Sequence, residues 1–347
     1  MRSVPLFSLR PDLEKNWVPL IREVTPAYPL SGFSKLIGAN QISVKREDLT
    51  DALYGGNKVR NLEFLLGDAL AKKAKRVVGL APLGSNFIAA LSAQSSKIQM
   101  PVSVYHFVPT CTQQMRKHAE FSARVGANLK TYKGGYIPSL LQASAQFSFE
   151  ILSQGTRSYR MPTGGSSYLG ALGHFNAFLE LQEQIAKGEI PGPDFLIVGA
   201  GTCGTMAGLL AAQVLTQSKI QIIGVRCVDR VICNRWSIAR LANQVLEFMG
   251  SQERIEPLGI DLRDRGMVAY GSPDSDANHV LEAMMTSEGL LLDTTYTTKV
   301  VSYLSHLVQQ PDYKEKKFLY WHTFSPAAMQ NQLPELRSVP LMEPTLI

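Results

Sequence analysis

The chain has 347 residues, is 45% hydrophobic and 18% charged, and carries a formal net charge of +6. That balance supports a globular protein with a buried core and excludes an intrinsically disordered one. The positive charge is spread along the chain. Its densest run, AKKAKR at 71–76, reads as a helix end entering a strand and has no aromatic interleaving, so nucleic acid is not expected as a partner. Cys111, Cys203, Cys227 and Cys233 form no CxxC pair and no zinc-type spacing, which predicts reduced thiols in a cytoplasmic protein. No stretch has the apolar core of a signal peptide or the length of a membrane span, so no membrane association is expected.

In chain order, short apolar runs predict strands at 42–46, 76–81, 102–107, 128–133, 195–200, 219–227 and 317–323. Helical periodicity falls between them, at 59–73, 86–98, 113–125, 170–187 and 204–217. This alternation is the signature of an α/β protein with mainly parallel strands. No repeat, low-complexity tract or long linker divides the chain, so a second domain has to be embedded in the first.

The run YGGNKVRNLEFLL at 54–66 places Lys58 beside two glycines and at the first turn of a helix. Val59, Leu62, Leu66 and Ala69 share one face of that helix and anchor it, and Asn57 stands where a cap is expected. The positive end of the helix dipole opposes a lysine charge there and favours the neutral amine, the form a Schiff base needs.

FLIVGAGTCGTMAGLLAAQVL at 195–215 reads as strand, glycine turn and helix. Gly199, Gly201 and Gly204 spell GxGxxG, while Thr202 and Thr205 add hydroxyls at the helix N-terminus. A phosphate belongs there under two readings. The dinucleotide reading wants an acidic residue closing the next strand, and only Asp229, beyond Arg226 and Cys227, stands loosely in that place. The two threonines suit a single phosphoester better.

Four segments in order resemble one family, the pyridoxal-phosphate enzymes of the 1-aminocyclopropane-1-carboxylate deaminase and D-cysteine desulfhydrase group. They are TPAYPLSGFSKLIGANQISVKREDLTDALYGGNKVRNLEFLLGDAL (25–70), MPTGGSSYLGALGHFNAFLEL (161–181), GTCGTMAGL (201–209) and SEGLLLDTTYTTK (287–299). The resemblance implies a fold like that of the tryptophan synthase β-subunit, fold type II, with two open, mainly parallel sheets flanked by helices. It implies a large domain of residues 1–55 and 163–347, a small inserted domain of 56–162, and a homodimer. Pyridoxal 5′-phosphate is the implied cofactor, with Lys58 as its Schiff-base lysine. By the same resemblance Asn86 bonds the ring hydroxyl, Gly201, Thr202, Cys203, Gly204 and Thr205 cradle the phosphate, and Thr297 faces the pyridine nitrogen. Ser85, Tyr270 and Tyr296 would line the substrate side. Read without the family, Ser85 is also a candidate helix cap, Tyr270 and Tyr296 are candidate core aromatics, and Cys203 is a small packed residue. His174 and His322 have no metal or triad pattern and read as structural.

A hydroxyl such as Thr297 at the ring nitrogen weakens the electron sink and suits β-elimination. The cyclopropane-opening members carry glutamate after the tyrosine that matches Tyr296, so TyrThr points to the desulfhydrase side. Lys58 would then take the α-proton, and cysteine would give pyruvate, hydrogen sulfide and ammonia. Two segments depart from the pattern. GSNF at 84–87 stands for QSNH, and HTFS at 322–325 stands for HTGG; Asn61 for a basic residue and Thr294 for proline are smaller changes. The cofactor apparatus is therefore expected intact and the substrate apparatus altered. The expected reaction is α,β-elimination from a small amino acid, D-cysteine first. Its rivals are cyclopropane deamination or elimination from another D- or L-amino acid, a cofactor-binding protein with little turnover, and a nicotinamide oxidoreductase.

Overall fold

A computed structural model describes residues 2–108, 113–264, 277–327 and the backbone of 345–346. The first half runs α1 (Leu6–Leu9), β1 (Ala27–Pro29), α2 (Ser31–Leu36), β2 (Gln41–Arg46), α3 (Lys58–Ala71), β3 (Arg76–Pro82), α4 (Asn86–Lys97), β4 (Val102–Phe107), α5 (Gln113–Arg124), β5 (Asn128–Tyr132), α6 (Tyr136–Gln154) and β6 (Ser158–Arg160). The second half runs α7 (Tyr168–Ala186), β7 (Phe195–Ala200), α8 (Gly204–Leu215), β8 (Gln221–Arg226), α9 (Arg235–Phe248), β9 (Asp261–Asp264), α10 (Ala277–Glu288), α11 (Thr297–Leu307), β10 (Lys317–His322) and β11 (Thr345–Leu346).

The strands form two sheets. One has the order β1-β2-β10-β7-β8-β9, the other β11-β5-β4-β3-β6. Every pairing is parallel except β1 with β2. The expected fold class, two mainly parallel sheets covered by helices, is the one observed. Strands buried on both faces read as continuous apolar runs. In β7, Phe195, Leu196, Ile197 and Val198 are all buried, and Trp321 in the neighbouring β10 is fully enclosed.

The six-stranded sheet has a core on each face. Leu196 and Val198 pack with Phe175, Met206 and Leu246 from α7, α8 and α9, while Ile197 and Phe195 pack with Phe33, Met284 and Val301 from α2, α10 and α11. On the second sheet, Val77 and Val104 meet Leu62, Leu65 and Leu91 of α3 and α4, and Val78 and Tyr105 meet Phe147 of α6.

All seven expected strands and all five expected helices are present, shifted by a few residues at their ends. Helices α1, α2, α9, α10 and α11 and strands β1, β6, β9 and β11 were not expected, nor was helix α6. Its outward side carries Ile137, Leu141, Phe149 and Leu152, all exposed, so apolar residues fall on both faces and blur the helical period. The LGALG run has a packing reason. A Cβ on Gly173 would lie 2.0 Å from the Arg60 carbonyl oxygen, and one on Gly170 would lie 2.2 Å from that of Gly165. Gly173 lets α7 meet α3 backbone to backbone, and Gly170 lets the turn at Gly165 fold back onto α7, which together seat the helix that begins at Lys58. Among the described residues no helix is long and apolar enough to cross a membrane.

Candidate active site

Parallel strands point their carboxyl ends the same way, and crevices form there. Residues at or just beyond the ends of β3 (Ala81, Pro82), β4 (Phe107), β7 (Gly199, Ala200), β8 (Val228) and β10 (Thr323) line one cavity of about 630 Å³. Lys58, Ser85, Asn86, Gly201, Thr202, Cys203, Thr205 and Tyr296 all stand on its wall. Gly204 and Thr297 do not, and Tyr270 lies outside the described residues.

Lys58 opens α3 and makes no hydrogen bond or ion pair among the described residues. Burial pushes its ammonium down to about 8, against the opposing influence of Cys203. Burial is thus the principal cause of the shift that the helix dipole was expected to supply. Asn57 is not a side-chain cap: its backbone is already helical, and its Nδ2 donates to Thr205 Oγ1 at 2.8 Å. The turn before the lysine is held from several sides. Gly56 N–H donates to the Glu47 carbonyl (3.0 Å) and Asn57 N–H to that of Thr323 (3.2 Å). Gly55 N–H donates to Ser325 Oγ at 3.1 Å, and Gly56 has φ +92°, open to glycine. The serine that replaces a glycine in HTFS therefore anchors the lysine turn. Its partner Phe324 is buried and still borders the cavity.

The loop between β7 and α8 is built from donors. Thr205 Oγ1 accepts from Asn57 and lies 3.2 Å from His174 Nε2. His174 Nε2 is also 3.0 Å from Asn61 Oδ1, while Asn61 Nδ2 donates to the carbonyls of Gly165 and Gly170, both at 3.2 Å. With the amide oxygen so oriented, Nε2 carries the proton, and burial holds the ring neutral by lowering its pKa to about 3. The Thr205 oxygen is thus occupied as an acceptor, and its own proton is free for an anion in the cavity. Thr202 Oγ1 likewise accepts from Ser166 Oγ at 2.7 Å and keeps its proton. Gly204 N–H is spent on Ser166 Oγ at 3.2 Å, which explains why that residue sits behind the wall. Cys203 adopts φ +72°, unusual for a residue with a side chain. A hydrogen bond with Cys233 holds its thiol below the usual value, against burial.

On the opposite side Ser85 precedes α4 in extended conformation, but its side chain makes no capping bond. Its hydroxyl, Asn86 and the unpaired first-turn amides of α4 border the cavity together. Phe87 is buried against the GGS turn: a Cβ on Gly165 would meet its ring at 2.8 Å. Tyr296 packs over Gly201, where a Cβ would lie 3.1 Å from its ring. Beside it stands Asp293, which the sequence reading overlooked. Its carboxylate accepts from the N–H groups of Thr295 (3.0 Å), Tyr296 (2.9 Å) and Thr297 (2.9 Å), and from the Thr297 hydroxyl at 2.7 Å. Thr297 Oγ1 accepts in turn from Asp293 N–H at 2.6 Å, so this pair ties off the start of α11. An acidic residue just before a helical run is the cap signal that could have found it.

A family model described as "Pyridoxal-phosphate dependent enzyme" matches residues 18–323. The chain belongs to this family. A putative 1-aminocyclopropane-1-carboxylate deaminase of Pyrococcus furiosus is 30% identical over 310 residues, spanning 88% of this chain and 91% of the relative. A D-cysteine desulfhydrase of Serratia proteamaculans is 27% identical, spanning 91% and 96%. The crystal structure of an ACC deaminase homologue superposes with a TM-score of 0.81 at 26% identity, covering 93% of this chain and 95% of the other. The enzyme is thus a pyridoxal-phosphate-dependent member of the deaminase and desulfhydrase group, and the nicotinamide reading of GxGxxG is set aside. Its residues fit that cofactor: a half-buried lysine, partnerless among the described residues, shares a cavity with two hydroxyl protons and the N-terminus of α8. Among the described residues no cluster suited to a metal ion is found.

Proposed function

We propose that the enzyme catalyses α,β-elimination from a small amino acid, with D-cysteine giving pyruvate, hydrogen sulfide and ammonia as the first candidate reaction. The observation that carries this reading is Lys58, partnerless among the described residues and depressed to about 8, in one cavity with a phosphate-type cradle and with the open N-terminus of α4. When bound, pyridoxal phosphate supplies an electron sink for bond cleavage next to the amino group. Lys58 holds and moves the α-proton, since a pKa near 8 leaves part of it neutral at physiological pH. The hydroxyls of Thr202 and Thr205 and the amides of the loop other than Gly204 N–H, which Ser166 Oγ occupies, hold the phosphate, and Asn86 holds the ring hydroxyl. The Ser85 hydroxyl and the first amides of α4 orient the substrate carboxylate. Tyr296 flanks the reacting face. Thr297, off the cavity wall with its hydroxyl given to Asp293, positions that carboxylate, which borders the cavity on the side proposed for the ring nitrogen.

The same proposal includes an inserted domain of 56–162 that carries Lys58, and a cytoplasmic homodimer, which sedimentation of the purified protein tests. Elimination is tested by assaying pyruvate and sulfide together after D-cysteine is added to the cofactor-loaded enzyme. Equal amounts of both are expected. Cyclopropane deamination is the second reading, after the name of the Pyrococcus relative. Release of 2-oxobutyrate from 1-aminocyclopropane-1-carboxylate, with no pyruvate from cysteine, would replace the first reading by the second.

A further inference from the structure

The cavity's outer part is walled differently from its floor. Around Lys58 the wall carries hydroxyls, glycines and amides, with Tyr54, Phe87 and Phe324 buried among them rather than exposed. Toward the opening stand Phe107 and Tyr136 from the second sheet and Val231 and Ile232 from the turn after β8. Phe107 ends β4, Tyr136 begins α6, and their rings meet edge to face at 5.8 Å. Asp229 holds the other pair: its carboxylate accepts from Val231 N–H at 2.8 Å and its carbonyl from Ile232 N–H at 3.0 Å. Val231 is 87% exposed, and Ile232 and Tyr136 are each 48% exposed.

Apolar side chains held in water at the mouth of a ligand cavity are unfavourable until something apolar covers them. Free cysteine has one heavy atom beyond Cβ. While it reacts at Lys58 it has nothing to lay against these rings. A substituent on its sulfur extends away from the reacting carbon, and the exposed apolar side chains of Tyr136, Val231 and Ile232 on the same cavity offer it a seat. The cavity is large enough for such a ligand.

We propose that the preferred substrate is an S-substituted cysteine whose leaving thiol bears an apolar group of about aromatic size, seated between Phe107–Tyr136 and Val231–Ile232. This deepens the elimination reading and rests on it. Lys58 takes the α-proton and the Cβ–S bond breaks with its electron pair passing to sulfur. The thiolate then takes up a proton and departs as R–SH. The remaining three-carbon fragment takes up one water and yields pyruvate and ammonia, with no oxidant or reductant involved.

The test compares kcat/KM for pyruvate release from D- and L-cysteine with that from the two S-benzylcysteine enantiomers. A preference of about tenfold or more for S-benzylcysteine is expected, falling about tenfold in Phe107→Ala and in the exposed-site variant Val231→Asn. Calorimetric binding of S-benzylcysteine to the Lys58→Ala protein with pyridoxal phosphate should weaken when Phe107→Ala is added, which reads the same contact without turnover. Cysteine used as well as its S-benzyl form would overturn this inference and leave elimination standing. A preference untouched by both variants would also overturn it. Absence of pyruvate from all four amino acids would overturn both proposals.

Discussion

Two cations two residues apart on α3 have opposite settings. Lys58 faces the cavity without a hydrogen-bonding partner among the described residues. Arg60, on the back of the same turn, is fully buried and saturated. Its Nε and Nη2 donate to Glu47 at 2.8 and 2.9 Å, Nη1 to Glu180 at 2.8 Å, and Nη2 also to Thr25 at 3.1 Å. Around it Arg2 pairs with Glu63 at 2.7 Å, and Lys45 donates to the Thr25 carbonyl and to Gln184, both at 2.6 Å. Burial alone would raise the Glu47 carboxyl, but Arg60, Lys45 and Thr25 outweigh it and hold the group at about 2. One helix thus carries a charge fixed in place and, beside it, a charge left available. The first positions the second, because Arg60 ties α3 to α7 through Glu180 and to the end of β2 through Glu47.

Breaking the comparison on the reactive side has the largest expected effect. Lys58→Ala should abolish covalent attachment of pyridoxal phosphate, read by mass spectrometry after borohydride reduction, and lower pyruvate formation by about a thousandfold or more. Attachment that survives would assign the cofactor to another lysine. On the structural side, Arg60→Met strands Glu47 and Glu180 and should cost about 3–5 kcal/mol in urea unfolding. A loss under about 1 kcal/mol would show that the cluster does not hold α3.

The smallest effect sharpens the contrast. Without cofactor, Lys58→Met should raise stability by about 2 kcal/mol at pH 7, since a buried ammonium is removed. The folded lysine titrates near 8 and the unfolded one near 10.5, so between those values the unfolded chain binds more protons. Wild-type stability therefore recovers as pH rises through that window, and the advantage of methionine should fade above it. An advantage independent of pH would mean the gain comes from packing.

Much of this arrangement was legible in the sequence, and the remainder was hidden for identifiable reasons. Seven strands and five helices follow from period, because buried parallel strands and amphipathic helices announce themselves locally. Lys58, Ser85, Asn86 and the Gly201–Thr205 loop each sit at a strand-to-helix turn, where composition points to function. Asn57 and His174 escaped because their partners lie far along the chain: Asn57 bonds Thr205 across 148 positions and His174 bonds Asn61 across 113, whereas Asp293 bonds residues two to four positions on and was missed as a local cap. Phe107, Tyr136 and Val231 look like ordinary apolar residues until the topology brings their three loops to one opening. Of the two departures from the family pattern, the one at 322–325 supplies Ser325 as a fastener for Gly55.

Strand order also bears on how the molecule is made. β10 lies between β2 and β7, paired to both, yet it follows β7 by more than a hundred residues. Until residues 317–322 arrive, the six-stranded sheet exists only as two separate pieces, each with an open edge of unpaired backbone groups. The loop that grips the lysine turn, Thr323 to Ser325, comes directly after. Synthesis from the N-terminus therefore leaves Lys58 without its final setting until one late strand slides into the gap.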